Sequence, residues 1–121
     1  MAGPHPEGPP IAILWRYVVR PEARADFERV YAPAGRWSAL FARAEGYLGT
    51  ELYRGPADTY LTIDRWRTEA DFTAFLTAYR EEYEALDRET EGWTMGEVKL
   101  GVWEEVADEP AISSPIDGSC Y

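Results

Sequence analysis

The chain has 121 residues, of which 45% are hydrophobic and 14% aromatic, so it is long enough for one domain with an apolar core. Its formal net charge of -10 argues against nucleic acid as a partner and against an anionic membrane, because both need a basic surface. No segment approaches the roughly 20 apolar residues of a membrane helix, and the N-terminus lacks the pattern of a secretory signal. We therefore expect a cytoplasmic protein.

The two ends of the chain differ in composition from its centre. Residues 1–10 are rich in Gly and Pro, so we expect a disordered arm before a domain at residues 11–106. Residues 107–121 are polar and interrupted by Pro, which predicts either a disordered tail or an arm on a neighbouring subunit. The one histidine, His5, and the one cysteine, Cys120, fall in these ends. They cannot build a histidine metal cluster, a Ser-His-Asp triad or an internal disulfide, so we expect no metal site.

Hydrophobic periodicity predicts a regular order of strands and helices. Pro21 suits the first turn of a helix, and Thr68 is a predicted N-cap with Asp71 in a capping-box position. In chain order we predict a strand at 11–19, a helix after Pro21, a short helix through 37–44, strands at 47–54 and 59–67, a long helix ending near Gly92, and a strand at 94–106. This order predicts an α+β fold, a ferredoxin-like βαββαβ sandwich with a four-stranded antiparallel sheet.

The helices of such a fold cover one face of the sheet and leave the other open. The predicted helix-facing set is Ile13, Trp15, Tyr17, Leu48, Leu52, Leu61, Ile63, Val98, Leu100 and Val102. The predicted open face carries Leu14, Tyr47, Tyr53, Tyr60, Trp66, Met95 and Trp103 between charged residues. So large an apolar face is unusual on a soluble monomer, which favours a homodimer through the sheet face. On this interpretation, the charged residues that pair across the interface are Arg16, Asp64, Glu97 and Lys99.

Several short segments together carry a family resemblance. They are Trp15-Arg16-Tyr17 followed by Arg20-Pro21, Phe27 with Tyr31 and Gly35-Arg36-Trp37, residues 46–52, residues 60–66, and Glu97 before Gly101. These segments resemble the antibiotic biosynthesis monooxygenase (ABM) family of dimeric α+β barrels over roughly residues 11–106. The resemblance implies a ferredoxin-like subunit that dimerises through its sheet.

The resemblance also implies a range of activities. Some members are cofactor-independent monooxygenases that convert anthrones and related polycyclic aromatics to quinones; others oxidise quinols, one branch degrades haem, and many have no assigned activity. The family pocket lies between helices and sheet, and Trp66 matches a recurrent lining Trp at the end of the third strand. The haem branch has an Asn on the first strand and a His on the long helix, where this chain has Trp15 and Leu76. Histidine ligation of haem is therefore not expected, and Phe75 and Leu76 also argue against the His-containing quinol oxidisers.

A cofactor-independent oxygenase needs an apolar pocket, a group that stabilises a phenolate, and exclusion of water. The predicted substrate-binding residues are Trp15, Tyr17, Trp37, Phe41, Trp66, Phe75, Tyr79 and Tyr83, with Arg16 and Tyr60 as further polar contacts. The catalytic candidates are Trp66, Arg16, Tyr60 and Asp64, with a general-base role for Asp64 or Glu97 as one hypothesis.

These residues predict an oxygenase without a cofactor that acts on a phenolic, polycyclic aromatic or quinol-type molecule. The helical spacing of Trp37, Phe41, Phe75 and Tyr79 is more often typical of an ordinary core than of a pocket. The alternative that stays open is a non-catalytic dimeric protein of the same fold, which binds a small aromatic ligand or assists a pathway.

Overall fold

The structure is a computed structural model, and it describes residues 8–106. Its elements in chain order are β1 Ile11–Val19, α1 Arg24–Tyr31, α2 Arg36–Phe41, β2 Tyr47–Arg54, β3 Thr59–Trp66, α3 Glu69–Ala78, α4 Arg80–Thr90 and β4 Thr94–Glu104. The predicted tail at 107–121 and most of the predicted arm at 1–10 lie outside the described residues. None of the helices within 8–106 is long and apolar enough to cross a membrane.

The four strands form one antiparallel sheet in the order β2-β3-β1-β4. β1 is an inner strand between β3 and β4, which explains why both of its faces are largely apolar. β2 and β3 form a hairpin, and helices connect β1 to β2 and β3 to β4. This is the ferredoxin-like α+β sandwich that the sequence predicts, so the predicted fold class is confirmed.

The predicted long helix consists of two helices. Tyr79, with φ -118° and ψ 30°, leaves the helical conformation between α3 and α4. Its hydroxyl donates to the Arg43 carbonyl at 3.2 Å, and the Arg43 guanidinium lies 4.9 Å from the ring centre. These contacts attach the break to the segment after α2. At the start of α3, Thr68 Oγ1 accepts a hydrogen bond from the Asp71 backbone N–H at 3.1 Å, which confirms the predicted N-cap.

The face predicted for β3 is wrong. Tyr60 pairs with Tyr17 of β1, and Thr62 pairs with Trp15, so Tyr60, Thr62, Asp64 and Trp66 lie on the helix side. Leu61 and Ile63 lie on the open side instead. The physical reason is that β3 carries apolar side chains on both faces, so hydrophobicity does not select one. The hydrogen-bond register with β1 determines which face of β3 lies under the helices, and a shift of one residue in this register would exchange the two faces.

The faces predicted for the outer strands are wrong in part. Tyr47 of β2 pairs with Trp66 and so lies on the helix side. Leu48, Val98 and Leu100 were predicted under the helices, but they are 59%, 46% and 42% exposed. β2 and β4 are edge strands with register shifts, and strict alternation fails where a bulge inserts a residue.

The predicted pairing of Arg16 with Asp64 or Glu97 is also wrong. Arg16 is exposed on the open face, where it pairs with Leu61 of β3. Asp64 lies opposite Ile13 on the helix side, and Glu97 and Lys99 share that side because they lie opposite Tyr17 and Trp15. The sheet itself therefore separates Arg16 from the two acids.

The layer between sheet and helices is an aromatic core. Trp66, Phe27 and Phe75 are 0–1% exposed. The Trp66 and Phe75 rings are 5.4 Å apart, and the Phe27 and Tyr31 rings are stacked at 4.0 Å. Burial of each such side chain contributes about 1.5–3 kcal/mol to folding. The core does not fill the layer throughout, and a cavity remains beside β1.

The opposite face of the sheet has no covering layer within residues 8–106. Leu14, Tyr53 and Trp103 lie on this face as predicted, because they pair with Ile63, Leu61 and Ala12. The large apolar residues that are exposed in the strands are Leu48, Tyr53, Met95, Val98, Leu100, Val102 and Trp103.

Candidate active site

A cavity lies between the helices and the sheet and opens to solvent. Including its open part, it encloses about 480 Å³ of space not filled by atoms. The centres of water molecules can occupy about 50 Å³ of it, which is room for roughly three to five waters. The lining residues are Trp15, Tyr17, Tyr31, Trp37, Phe41, Thr50, Thr62, Asp64, Tyr83, Asp87 and Glu97.

Aromatic rings form most of the cavity wall. Trp15 and Tyr17 come from β1, where alternation points both side chains toward the helices. Trp37 of α2 lies 5.1 Å from the Tyr83 ring of α4 and 6.1 Å from the Tyr31 ring of α1. Rings in such edge-to-face and tilted contacts hold one another in place. The rings that line the cavity are therefore also packed against one another.

Asp64 is the most buried carboxylate of the cavity. β3 places it opposite Thr50 of β2, whose Oγ1 donates to Asp64 Oδ1 at 2.7 Å. Because Thr50 gives its proton to Asp64, the Tyr47 hydroxyl donates to Thr50 Oγ1, at 2.5 Å. Burial raises the pKa of Asp64 to about 6, and the hydrogen bond from Thr50 opposes this rise only in part. The carboxylate is thus ionised at neutral pH yet far more basic than an exposed Asp, as a general base should be.

Tyrosines at the cavity keep their protons at neutral pH. Burial raises the pKa of Tyr17 well above its ordinary value and also raises the pKa of Tyr31. The Tyr31 hydroxyl donates to Thr90 Oγ1 at 3.2 Å. A neutral phenol hydroxyl is a hydrogen-bond donor, and donors of this kind stabilise an oxyanion.

Two buried polar atoms of the wall have no hydrogen bond. Trp37 is 8% exposed and Thr62 is 3% exposed, and neither Trp37 Nε1 nor Thr62 Oγ1 has a hydrogen-bond partner among the described residues. Tyr31 lies near Trp37, and Tyr17 near Thr62, without normal hydrogen-bond geometry. A buried polar group left in this state costs about 1–3 kcal/mol. A ligand with an oxygen at this depth would remove that cost.

The mouth of the cavity is acidic. Asp87 of α4 and Glu97 of β4 are both exposed there. Burial, with a smaller contribution from the negative charges of Asp87, Asp64 and Glu97, raises the pKa of Tyr83 to about 12. Partial burial raises the pKa of Glu97, and repulsion from Asp87 and Glu91 adds to the rise. No Lys or Arg is among the described residues that line the cavity.

The structure brings part of the predicted site together. The predicted residues that line the cavity are Trp15, Tyr17, Trp37, Phe41, Asp64 and Tyr83. Trp66 and Phe75 lie outside the cavity, in the core, with their rings 5.8 and 5.2 Å from the ring of Phe41. They therefore support a wall residue and do not face the cavity.

Three other predicted site residues lie elsewhere. The Tyr60 hydroxyl donates to Glu28 Oε2 at the far side of α1. Tyr79 is held at the helix break, and Arg16 is exposed on the open face of the sheet. The predicted phenolate contact by Arg16 has no support in this geometry.

The sequence interpretation missed Tyr31, Thr50, Thr62 and Asp87. The sequence could have placed Thr62 in the cavity wall, because Thr62 lies two residues before Asp64 and so on the same face of β3. It could also have placed Asp87 there, because Asp87 follows the predicted wall residue Tyr83 by one helical turn. Tyr31 resembled an ordinary core residue, and the contact of Thr50 with Asp64 depends on the hairpin register.

The donor set at the cavity does not resemble a metal site. Within residues 8–106, no group of three or more His, Cys, Asp or Glu side chains is close enough together to hold a metal ion. The three cavity carboxylates are spread between its interior and its mouth. What they offer is proton transfer at Asp64 and negative charge at the entrance.

Comparison with known proteins identifies relatives of the fold and the family. No functionally curated protein matches the chain. SnoaB, a cofactor-independent oxygenase from Streptomyces nogalater, has a similar structure with a TM-score of 0.63 and 23% identity, covering 85% of this chain and 99% of that chain. A Bordetella bronchiseptica protein assigned to the antibiotic biosynthesis monooxygenases has a TM-score of 0.65 at 20% identity, covering 83% of this chain and 100% of that chain.

A third structure, PA3566 from Pseudomonas aeruginosa, has a TM-score of 0.60 at 16% identity and covers 84% of this chain and 98% of that chain. At these identities, the structural likeness shows the fold alone. The sequence profile of the family described as "Antibiotic biosynthesis monooxygenase" matches residues 10–88. Because that match spans more than half of the chain, the protein belongs to the antibiotic biosynthesis monooxygenase family.

Proposed function

We propose that the protein is a cofactor-independent oxygenase of a small aromatic molecule of the phenol, anthrone or quinol type, with Asp64 as its general base. The observation that carries this proposal is a buried carboxylate with a raised pKa in an aromatic cavity that has an opening to solvent. Family membership and the oxygenase activity of SnoaB support it.

The chemistry requires one proton transfer from the protein. Asp64 removes a proton from an acidic C–H or O–H of the substrate, and the resulting carbanion or phenolate passes one electron to O₂. The substrate radical and superoxide combine into a C–O bond, and Asp64 returns its proton to the peroxide. Loss of water then breaks the O–O bond and leaves a carbonyl, so that a CH₂ group and O₂ give C=O and H₂O.

Polar groups near Asp64 are suited to the negative charge that develops on the substrate. Trp37 Nε1 and Thr62 Oγ1 are buried donors without partners, and the Tyr17 hydroxyl lies beside Thr62. Donors that are already in place stabilise an oxyanion without reorganisation. This role replaces the one predicted for Arg16.

The inner part of the cavity is smaller than a polycyclic substrate, so the mouth must widen. Pockets for drug-sized ligands enclose about 300–1,000 Å³, whereas the centres of water molecules can occupy only about 50 Å³ of this cavity. α4 carries Tyr83 and Asp87 of the wall, and the chain leaves the helical conformation at Tyr79 directly before it. In our proposal, α4 moves about this break when the substrate enters.

The open face of the sheet supports a homodimer as part of the proposal. Val98 and Leu100 of β4 are 46% and 42% exposed, and Tyr53 and Trp103 are more than half exposed. A contiguous apolar face of this kind on an antiparallel sheet is typically buried against a partner. A second copy of the chain, packed sheet against sheet, is the occupant that the family favours.

Oxygen uptake tests the function. The protein is mixed with an anthrone or a reduced quinol in air-saturated buffer, after removal of metals by chelation, and uptake is recorded with an electrode. We expect catalysed uptake and a loss of about 10²–10⁴-fold in Asp64→Asn, the size of a general-base contribution. Asp26→Asn is the matched control, since Asp26 is an exposed residue of α1 paired with Arg29.

Unchanged turnover in Asp64→Asn would remove the general-base role. Binding of the aromatic molecules without any catalysed uptake would favour the alternative, a non-catalytic binding protein with the same cavity.

A further inference from the structure

We propose that the ligand of this cavity carries a positive charge, a protonated amine, at the end that stays in the mouth between Asp87 and Glu97. This inference rests on the proposed function and narrows its substrate class. The inner end of the ligand is an aromatic ring with a hydroxyl or carbonyl oxygen, and the outer end is an ammonium group.

The inner end follows from the two buried atoms without partners. Trp37 Nε1 can only donate a hydrogen bond, and Thr62 Oγ1 can donate or accept one. A ligand oxygen that accepts a hydrogen bond from either atom would remove the cost of leaving that atom unpaired. The aromatic rings of Trp15 and Tyr83 on either side favour a flat ring attached to that oxygen.

The positive charge at the outer end of the ligand is inferred from the carboxylates at the mouth of the cavity. Asp87 and Glu97 both line the cavity and are both exposed, so their charges act on a ligand at its mouth. Neither makes an ion pair within the part of the chain that the structure describes. Lys99 lies on the same side of β4 as Glu97 but does not line the cavity. Partial burial raises the pKa of Glu97, and repulsion from Asp87 and Glu91 adds to this rise.

A cation relieves this repulsion, and an anion increases it. The part-buried ring of Tyr83, which lines the same cavity as the two acids, adds the attraction of an aromatic ring for an ammonium group. A carboxylate at the same place on the ligand meets two like charges. The site therefore discriminates by charge at its mouth and by hydrogen bonding at its inner end.

Three matched probes test the inference. They are 1-naphthol derivatives that carry an aminomethyl, an ethyl or a carboxymethyl group at the same ring position, titrated by calorimetry at pH 7 and low salt. We expect the ammonium probe to bind roughly five- to tenfold more tightly than the neutral one, with the carboxylate weakest. The preference should shrink in high salt, because exposed charges are screened.

The double variant Asp87→Asn, Glu97→Gln should reduce the preference to less than roughly twofold, since the exposed carboxylates supply it. Glu84→Gln, which removes one exposed charge from α4 outside the cavity, should leave it unchanged. Equal or tighter binding of the carboxylate probe, a preference that survives in the double variant, or no binding of any probe would overturn the inference.

The outcomes separate this inference from the proposed function. A charge preference without oxygen uptake from any probe would keep the ligand class and refute the oxygenase. Oxygen uptake that depends on Asp64, together with binding that does not depend on the charge of the probe, would support the oxygenase and refute the cationic ligand class.

Discussion

Replacing Asp64 with Asn should make the protein more stable at neutral pH, in addition to any effect on activity. The structure places this carboxylate in a part-buried position where, among residues 8–106, Thr50 alone donates a hydrogen bond to it. Asn keeps an oxygen that accepts the same hydrogen bond, but it carries no charge. The variant therefore removes the cost of burying the charge and retains the local contact.

The magnitude follows from the pKa, which burial raises from 3.8 to about 6. The folded protein binds the proton more tightly than the unfolded chain, so ionisation destabilises the fold as pH rises from about 4 through about 6. One pKa unit corresponds to about 1.4 kcal/mol, which gives a cost of up to about 3 kcal/mol at pH 7. The same relation gives a cost of ionisation of about half this value at pH 5 and of less than about 1 kcal/mol at pH 4.

Urea unfolding of both proteins at pH 4, 5, 6, 7 and 8 measures this difference, at one protein concentration because association also affects stability. The free energy of unfolding of Asp64→Asn should exceed that of the wild type by an amount that grows with pH and levels off above pH 7. Asp26→Asn, which replaces an exposed carboxylate of α1, is the control variant. A difference that is constant from pH 4 to pH 8, or a variant less stable than the wild type at pH 7, would refute the reasoning.

Three further predictions concern the fold and its assembly. Thr68→Ala should lower the free energy of unfolding by about 1 kcal/mol, because the N-cap bond to Asp71 is lost; Thr73→Ala, at an exposed site of the same helix, should be near neutral in the same urea titration. Trp66→Ala should cost about 3–5 kcal/mol in thermal unfolding because Trp66 is 0% exposed, and a loss below about 1 kcal/mol would contradict its place in the core. Val98→Arg should turn the proposed dimer into a monomer in sedimentation equilibrium, whereas a wild type that is itself monomeric at high concentration would exclude the sheet-to-sheet dimer.

The stability and activity predictions for Asp64 point in opposite directions. A carboxylate held with a raised pKa destabilises the folded protein, and functional sites commonly carry such a cost. An Asn variant that is both more stable and inactive would fit a catalytic role. A variant that is more stable than the wild type and equally active would show that Asp64 has no part in the reaction.

The sequence by itself determined the element order, and the order limited the topology. The strand at Ile11–Val19, the helix after Pro21 and the cap at Thr68 are local features. Each depends on neighbouring residues and on the backbone conformations that they favour, so each can be predicted from the sequence alone. The aromatic walls at Trp15, Trp37 and Tyr83 were predicted for the same reason, because periodicity places them on a face directed at the core.

Only the tertiary structure decided which face of β3 lies under the helices. Either face of that strand is apolar enough to be buried against the helices. The backbone hydrogen bonds that pair Tyr17 with Tyr60 select one of the two faces. From this register follow the position of Asp64 on the helix side, its contact with Thr50 and its separation from Arg16 by the sheet. The acidic mouth likewise needs α4 and β4 to approach each other, although Asp87 and Glu97 are ten residues apart in sequence. Hydrophobic pattern fixes what is buried, but long-range register and packing fix which polar groups are buried with it.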